Sequence, residues 1–166
     1  MEQDRPCAEE PNDPRELDCM YKEADRVYYL FARDCGLSTC AYWMLYDVER
    51  AGGTVEMREL SDSWAYSKQT INSAIKAMEA KGLIELGFVE GSRRNKTVSL
   101  TEAGEAFADR YIRPAQQAER RAFCSLTPQE RRALLDHARA YTNALVEEMN
   151  RIRATAAERN GKGEDA

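Results

Sequence analysis

Ser67-Lys68-Gln69-Thr70-Ile71-Asn72-Ser73-Ala74-Ile75-Lys76-Ala77-Met78-Glu79-Ala80-Lys81 is the run on which the fold turns. Ile71, Ala74, Ile75 and Met78 fall at i, i+3, i+4 and i+7, the spacing of one apolar helix face. Gly82 follows as a left-handed stop. The opposite face presents Lys68, Gln69, Asn72, Ser73 and Lys76, with Thr70 alongside, and no carboxylate lies between Ser67 and Met78. A merely solvated helix face usually mixes Glu with Lys. Here the side chains are those that pair with base edges: Gln and Asn with adenine, Ser with several bases, Lys with guanine or phosphate. Ser67 and Thr70, at the helix N-terminus, suit a phosphate.

Outward from this run, Leu83–Val89 and Lys96–Leu100 read as two strands joined by the basic turn Gly91-Ser92-Arg93-Arg94-Asn95. This predicts a hairpin with a charged tip carrying Arg93, Arg94 and Lys96. Upstream, Ser38 caps a helix whose core face is Ala41, Met44, Leu45 and Val48, with Tyr42, Trp43 and Tyr46 off that face. Gly52-Gly53 stops it. A short strand at Thr54–Glu56 and a helix turning Met57, Leu60 and Trp64 inward complete the stretch. Helix, helix, glycine-stopped helix and basic hairpin are the order of a winged helix-turn-helix domain over 37–100. Its third helix would enter the major groove, and its hairpin would reach the flanking backbone or minor groove.

Long helices flank this domain. One, over 13–36, opens on Asp13-Pro14-Arg15-Glu16 and carries a seam of Leu17, Tyr21, Ala24, Tyr28 and Phe31, until Gly36. Over 101–153, a helix from Thr101 is predicted to bury Ala103, Ala106, Phe107 and Tyr111 and to bend at Pro114. A last helix starts at the capping box Thr127-Pro128-Gln129-Glu130, with Leu134, Ala138, Tyr141 and Leu145 along one side and Met149 and Ile152 beyond. One small domain cannot cover both seams, so the flanking helices are predicted to pair with those of a second subunit under two-fold symmetry. Two reading helices would then meet successive major grooves about 34 Å apart. Residues 1–12 and 154–166 read as disordered. The predicted fold is mainly α with a small β hairpin: a winged helix-turn-helix core between long dimerisation helices.

Composition is consistent with this reading. The chain has 166 residues, 43% of them apolar and 32% charged. No run of about 18 apolar residues suggests a membrane span. The acidic N-terminal MEQDRPCAEEPNDP lacks the apolar stretch of a signal peptide, so a cytoplasmic location is expected. Cys7, Cys19, Cys35, Cys40 and Cys124 have no metal-ligand spacing and read as reduced thiols. The net charge of −5 hides a local excess: between Ser67 and Ser99 six basic residues meet three acidic ones. Local basic surface governs phosphate contact, whereas whole-chain charge governs steering. An enzyme is disfavoured, because the sole histidine, His137, sits on an amphipathic helix, Glu147-Glu148 reads as a surface pair, and no phosphate loop, metal cluster or nucleophile elbow is present. No cofactor and no metal are expected. A winged-helix module for protein contacts is the closer rival, but such a surface favours aromatic anchors over short polar side chains.

The runs SKQTINSAIKAMEAKGLIEL and GSRRNKTVSLTEAG resemble the MarR family of bacterial winged-helix regulators. The resemblance extends over residues 14–150, and its specific parts are Glu79-Ala80-Lys81-Gly82-Leu83-Ile84 and Leu100-Thr101-Glu102-Ala103-Gly104. It implies a homodimer on pseudo-palindromic DNA, a recognition helix at 67–81, a wing at 89–97, and repression as the usual mode. Family wings carry an Asp two residues before the wing arginine; Ser92 stands there, before Arg94. Family members often bind small phenolic or other aromatic effectors, which implies a pocket among Tyr28, Tyr29, Trp43, Tyr46 and Trp64. A peroxide-sensing branch uses a cysteine in the first helix supported by tyrosines, for which the counterparts are Cys19, near Lys22, with Tyr28, Tyr42 or Tyr46.

Overall fold

A computed structural model of the protein describes residues 14–161, apart from Trp64 and Arg93. Residues 1–12 therefore lie outside the described part. The elements are α1 (Pro14–Asp34), α2 (Thr39–Arg50), β1 (Thr54–Glu56), α3 (Met57–Ser63), α4 (Lys68–Ala80), β2 (Ile84–Phe88), β3 (Lys96–Leu100), α5 (Glu102–Phe107), a π-helical turn (Ala108–Ile112), α6 (Arg113–Cys124) and α7 (Pro128–Gly161). The three strands form an antiparallel sheet in the order β1-β3-β2. Val98, on the central strand, faces Val55 on one side and Leu86 on the other. The fold is thus mainly helical with a small sheet, a winged helix-turn-helix.

Two compact units meet between Ala115 and Gln116. The first is built around α2. Ser38 caps it by accepting from the Ala41 N–H, and Ala41, Met44, Leu45 and Val48 are buried as their spacing predicts. Tyr42 and Tyr46 are buried as well. The aromatic side of α2 is covered by α1, with the Phe31 ring edge-on to Tyr42 at 5.7 Å and Tyr28 at 4.5 Å from Trp43. With both sides buried, α2 is the central post of the unit. Leu60 from α3, Ile71, Ala74, Ile75 and Met78 from α4, and Ile84 and Val98 from the sheet close the core around it.

The segment after the sheet departs from its sequence reading. Gly104, Ala108 and Ile112 are the buried positions, Phe107 and Tyr111 are half-buried, and Ala103 and Ala106 are exposed. The reason is a close approach: a Cβ at Gly104 would fall on the Leu83 carbonyl oxygen, so only glycine lets α5 sit against the turn that joins α4 to β2. At Pro114, the chain answers with the π-helical turn immediately upstream. Proline cannot donate to the Arg110 carbonyl and its ring crowds that group. The wider turn, closed by Arg113 N–H donating to Ala108 O, relieves the crowding.

In the second unit, Thr127 opens α7 as predicted. Its hydroxyl accepts from the Glu130 N–H, and the Glu130 carboxylate accepts from the Thr127 N–H at 2.8 Å and from its hydroxyl at 2.7 Å. Those two bonds hold the Glu130 carboxyl below its ordinary value. Helix α7 runs on to Gly161, well past the 153/154 boundary read from sequence. The Ala154-Thr155-Ala156 stretch has enough helix propensity to extend an already nucleated helix.

Candidate nucleic-acid interface

Helix α4 begins where its sequence predicts. Ser67 is the N-cap, accepting from the Thr70 N–H at 3.1 Å, with the two hydroxyls 2.8 Å apart. At the other end Gly82 (φ 66°) donates to Glu79 O and Leu83 N–H to Met78 O, the paired bonds of a left-handed stop. Ile71, Ala74, Ile75 and Met78 are each at most 5% exposed. Ser67, Lys68, Gln69, Thr70, Asn72, Ser73 and Lys76 are all exposed. The aliphatic stripe therefore fixes the rotation of α4 and turns every polar, acid-free position outward.

The hairpin β2–β3 stands beside it. Its tip is closed by Val89 N–H donating to Asn95 O and Ser92 N–H to Val89 O, both at 2.9 Å, with Gly91 at φ 75°. The Ser92 hydroxyl accepts from the Arg94 N–H at 3.2 Å and the Asn95 N–H at 3.0 Å. Two backbone donors at the turn are thus tied to one side-chain oxygen. Serine at this position therefore fixes the backbone of Arg94. Arg94, Asn95 and Lys96 are exposed, and Arg94 and Lys96 border a small groove with Arg58 at the start of α3. Arg93 lies outside the described residues.

A second groove, of about 430 Å³, runs between α3, α4 and the sheet. Ile71, Ile75, Leu86 and Met57 form its floor, and Lys68, Lys76, Lys96 and Asn72 its sides, with Glu79 at the end of α4. The fold thus gathers Lys68, Lys76 and Lys96, three of the cationic side chains noted in the sequence, around one concavity. Arg58 was missed from sequence, since it precedes the reading helix by a whole element and nothing in its own neighbourhood marks it.

The aromatic residues proposed for an effector fall into two groups. Tyr28, Trp43 and Tyr46 belong to one cluster around Tyr42, with Trp43 and Tyr46 centroids 5.3 Å apart. Tyr29 is exposed on α1, and Trp64 lies outside the described residues. Cys19 is exposed on α1, whereas Cys40 is buried, its thiol 3.9 Å from the Met44 sulfur and raised by burial. Among the described residues no cluster of His, Cys, Asp or Glu could hold a metal, and no helix is long and apolar enough to cross a membrane.

Comparison with known proteins gives a consistent picture. A sequence profile of the MarR family matches residues 36–95. The HTH-type transcriptional repressor NicR of Pseudomonas putida is 34% identical over 86 residues, covering 52% of this chain. The match spans about half of that repressor, 54% of its length. The MarR family regulator NMB1585 of Neisseria meningitidis superimposes with a TM-score of 0.65 at 25% identity, over 86% of this chain and 97% of that one. A Listeria monocytogenes protein described as a MarR family regulator, in complex with 26mer DNA, gives a TM-score of 0.65 at 19% identity, over 84% of this chain and 92% of that one. The latter likeness is one of fold. These relatives are transcriptional regulators and not enzymes. With the motifs at Gly82 and Thr101, the capped and acid-free α4 and the wing all in their places, residues 36–95 match the MarR family of winged-helix transcriptional regulators and the chain shares the fold of that family's solved members.

Proposed function

We propose that the protein is a cytoplasmic repressor that binds a pseudo-palindromic duplex operator as a homodimer. The observation that carries this reading is the outward, acid-free face of α4 beside a basic wing. Gln69, Asn72 and Ser73 read base edges. Ser67, Lys68, Thr70, Lys76, Arg93, Arg94 and Lys96 hold phosphates or the adjacent minor groove. Repression is supported by the likeness to NicR, a repressor, and duplex binding by the fold shared with the Listeria protein, which was solved with DNA.

The dimer is supported by apolar residues left exposed on the terminal helices. Met20, Tyr21 and Val27 of α1 and Leu134, Leu145, Val146, Met149 and Ile152 of α7 are each at least 46% exposed in the single chain. A second copy is the partner that would cover them. The Tyr28, Trp43 and Tyr46 cluster, together with Tyr29 and with Trp64 as the family resemblance implies, is proposed as the place where a small aromatic effector acts. Such a ligand shifts repression only by favouring one separation of the two reading helices over another.

Titration of a labelled mixed-sequence duplex at several salt concentrations tests the reading. Binding should weaken linearly on a log–log plot as salt rises. Failure to bind any duplex at low ionic strength would contradict it.

A further inference from the structure

Side chains alternate along a strand, so Ile84, Leu86 and Phe88 share one face of β2, apart from Glu85 and Gly87. Their cross-strand partners on β3 are Leu100, Val98 and Lys96. The inner end of this face is core, with Ile84 3% and Val98 0% exposed. Further out, Leu86 and Lys96 border the groove against Ile71 and Ile75 of α4. Phe88 stands one step beyond, opposite Lys96 and 59% exposed. Among the described residues from Gly36 to Ala115, it is the large apolar side chain that the unit leaves more than a third exposed. Its position is also specific: the open ring sits on the side of the wing that looks toward α4, next to a lysine.

A duplex read by α4 in its major groove and by the wing tip in the adjacent minor groove sends one sugar–phosphate strand between them. That strand has to cross the concavity bordered by Lys68, Lys76 and Lys96. We propose that Phe88 is a DNA-contacting residue, its ring packed on the deoxyribose of this crossing strand while the lysines take the flanking phosphates. The proposal rests on the DNA-binding reading above and adds an apolar contact to it. Deoxyribose offers C–H surface that gains from covering an aromatic ring, and phosphates offer none. The contact is indifferent to base sequence and fixes how far the wing stem stands from the duplex.

Fluorescence anisotropy on a duplex enriched from a random pool, and on a shuffled duplex of equal length, tests this at several salt concentrations. Phe88→Ala should weaken binding to both about tenfold with an unchanged salt slope, because no phosphate contact is lost. Lys96→Ala should weaken both and make the slope shallower by about one. Phe88→Tyr should stay within about twofold of the parent, since the ring remains. The unfolding midpoint of Phe88→Ala should match the parent. If that variant does not fold, Phe88→Leu, which keeps bulk but has no flat ring, should still bind about threefold more weakly. Parent-like affinity of the folded alanine variant, or of the leucine variant in its place, overturns the role of Phe88 and leaves DNA binding intact. A change in sedimentation with no change in DNA affinity assigns the ring to a protein contact and also overturns it. If the parent binds neither duplex at low salt, the underlying reading fails and this one with it.

Discussion

Thr101 joins its own motif to the one at Gly82, nineteen residues earlier. Its hydroxyl donates to the Gly82 carbonyl and accepts from the Gly104 N–H, while its own N–H donates to Leu83 O at 3.2 Å. Gly104 rests on that same Leu83 carbonyl. Alanine normally improves a helix over glycine by about 1 kcal/mol. At Gly104 the sign should reverse: Gly104→Ala is expected to cost about 2–4 kcal/mol in urea unfolding, because the displaced neighbour is backbone. Both motifs were legible in the sequence, and so was the helix start at Ser67. Their contact was not, because periodicity reports which face of one helix is buried and says nothing of backbone meeting backbone. For the same reason the α5 face was read as Ala103 and Ala106, when the buried line runs through Gly104, Ala108 and Ile112. At the reading face, Arg94→Ala should weaken all duplexes and make the salt slope shallower by about one. Gln69→Ala or Ser73→Ala should instead change which sequences are preferred. Equal losses on selected and random duplexes in every variant would break that division.

Arg113 ties together three elements. Its guanidinium meets Glu49 of α2 at 2.9 Å, Glu105 of α5 at 2.6 Å and Asp109 of the π-helical turn, and these partners hold it firmly protonated. None of this is visible in sequence, since Glu49 lies 64 residues away. Arg113→Met should lower stability by about 1–2 kcal/mol, a figure kept small because the guanidinium is partly solvated. The loss should shrink at high salt when followed by chemical denaturation. The capping box of α7, by contrast, was fully legible, being local. Its carboxylate titrates lower in the folded chain than in the unfolded one. The cap therefore contributes above the ordinary Glu range and is lost as pH falls through the lower folded value. Circular dichroism should show α7 fraying on acidification in the parent, and Glu130→Gln should have lost the pH-dependent part of that fraying.

The whole molecule sets a surface of net negative charge around a locally basic reading face. Such a distribution favours close contact at the grooves over long-range attraction, so association should be slow at low protein concentration yet steeply salt-dependent once formed. The exposed seam of α7 follows the spacing read from sequence, whereas on α1 the line through Tyr28 and Phe31 packs on α2 and the exposed apolar residues include Met20, Tyr21 and Val27. Leu145→Glu should move the protein from dimer to monomer in sedimentation equilibrium and abolish tight operator binding, while leaving the α4 unit folded. In the proposed dimer, the sequence read would be set by the side chains on α4 and by the spacing between two copies. Selection of bound duplexes from a random pool, at two salt concentrations, measures both at once. A consensus of two inverted half-sites, centred about one helical turn apart and retained at the higher salt, is the expected result. Recovery of sequences without symmetry or enrichment at either salt would contradict a two-fold pair of α4 helices reading base edges.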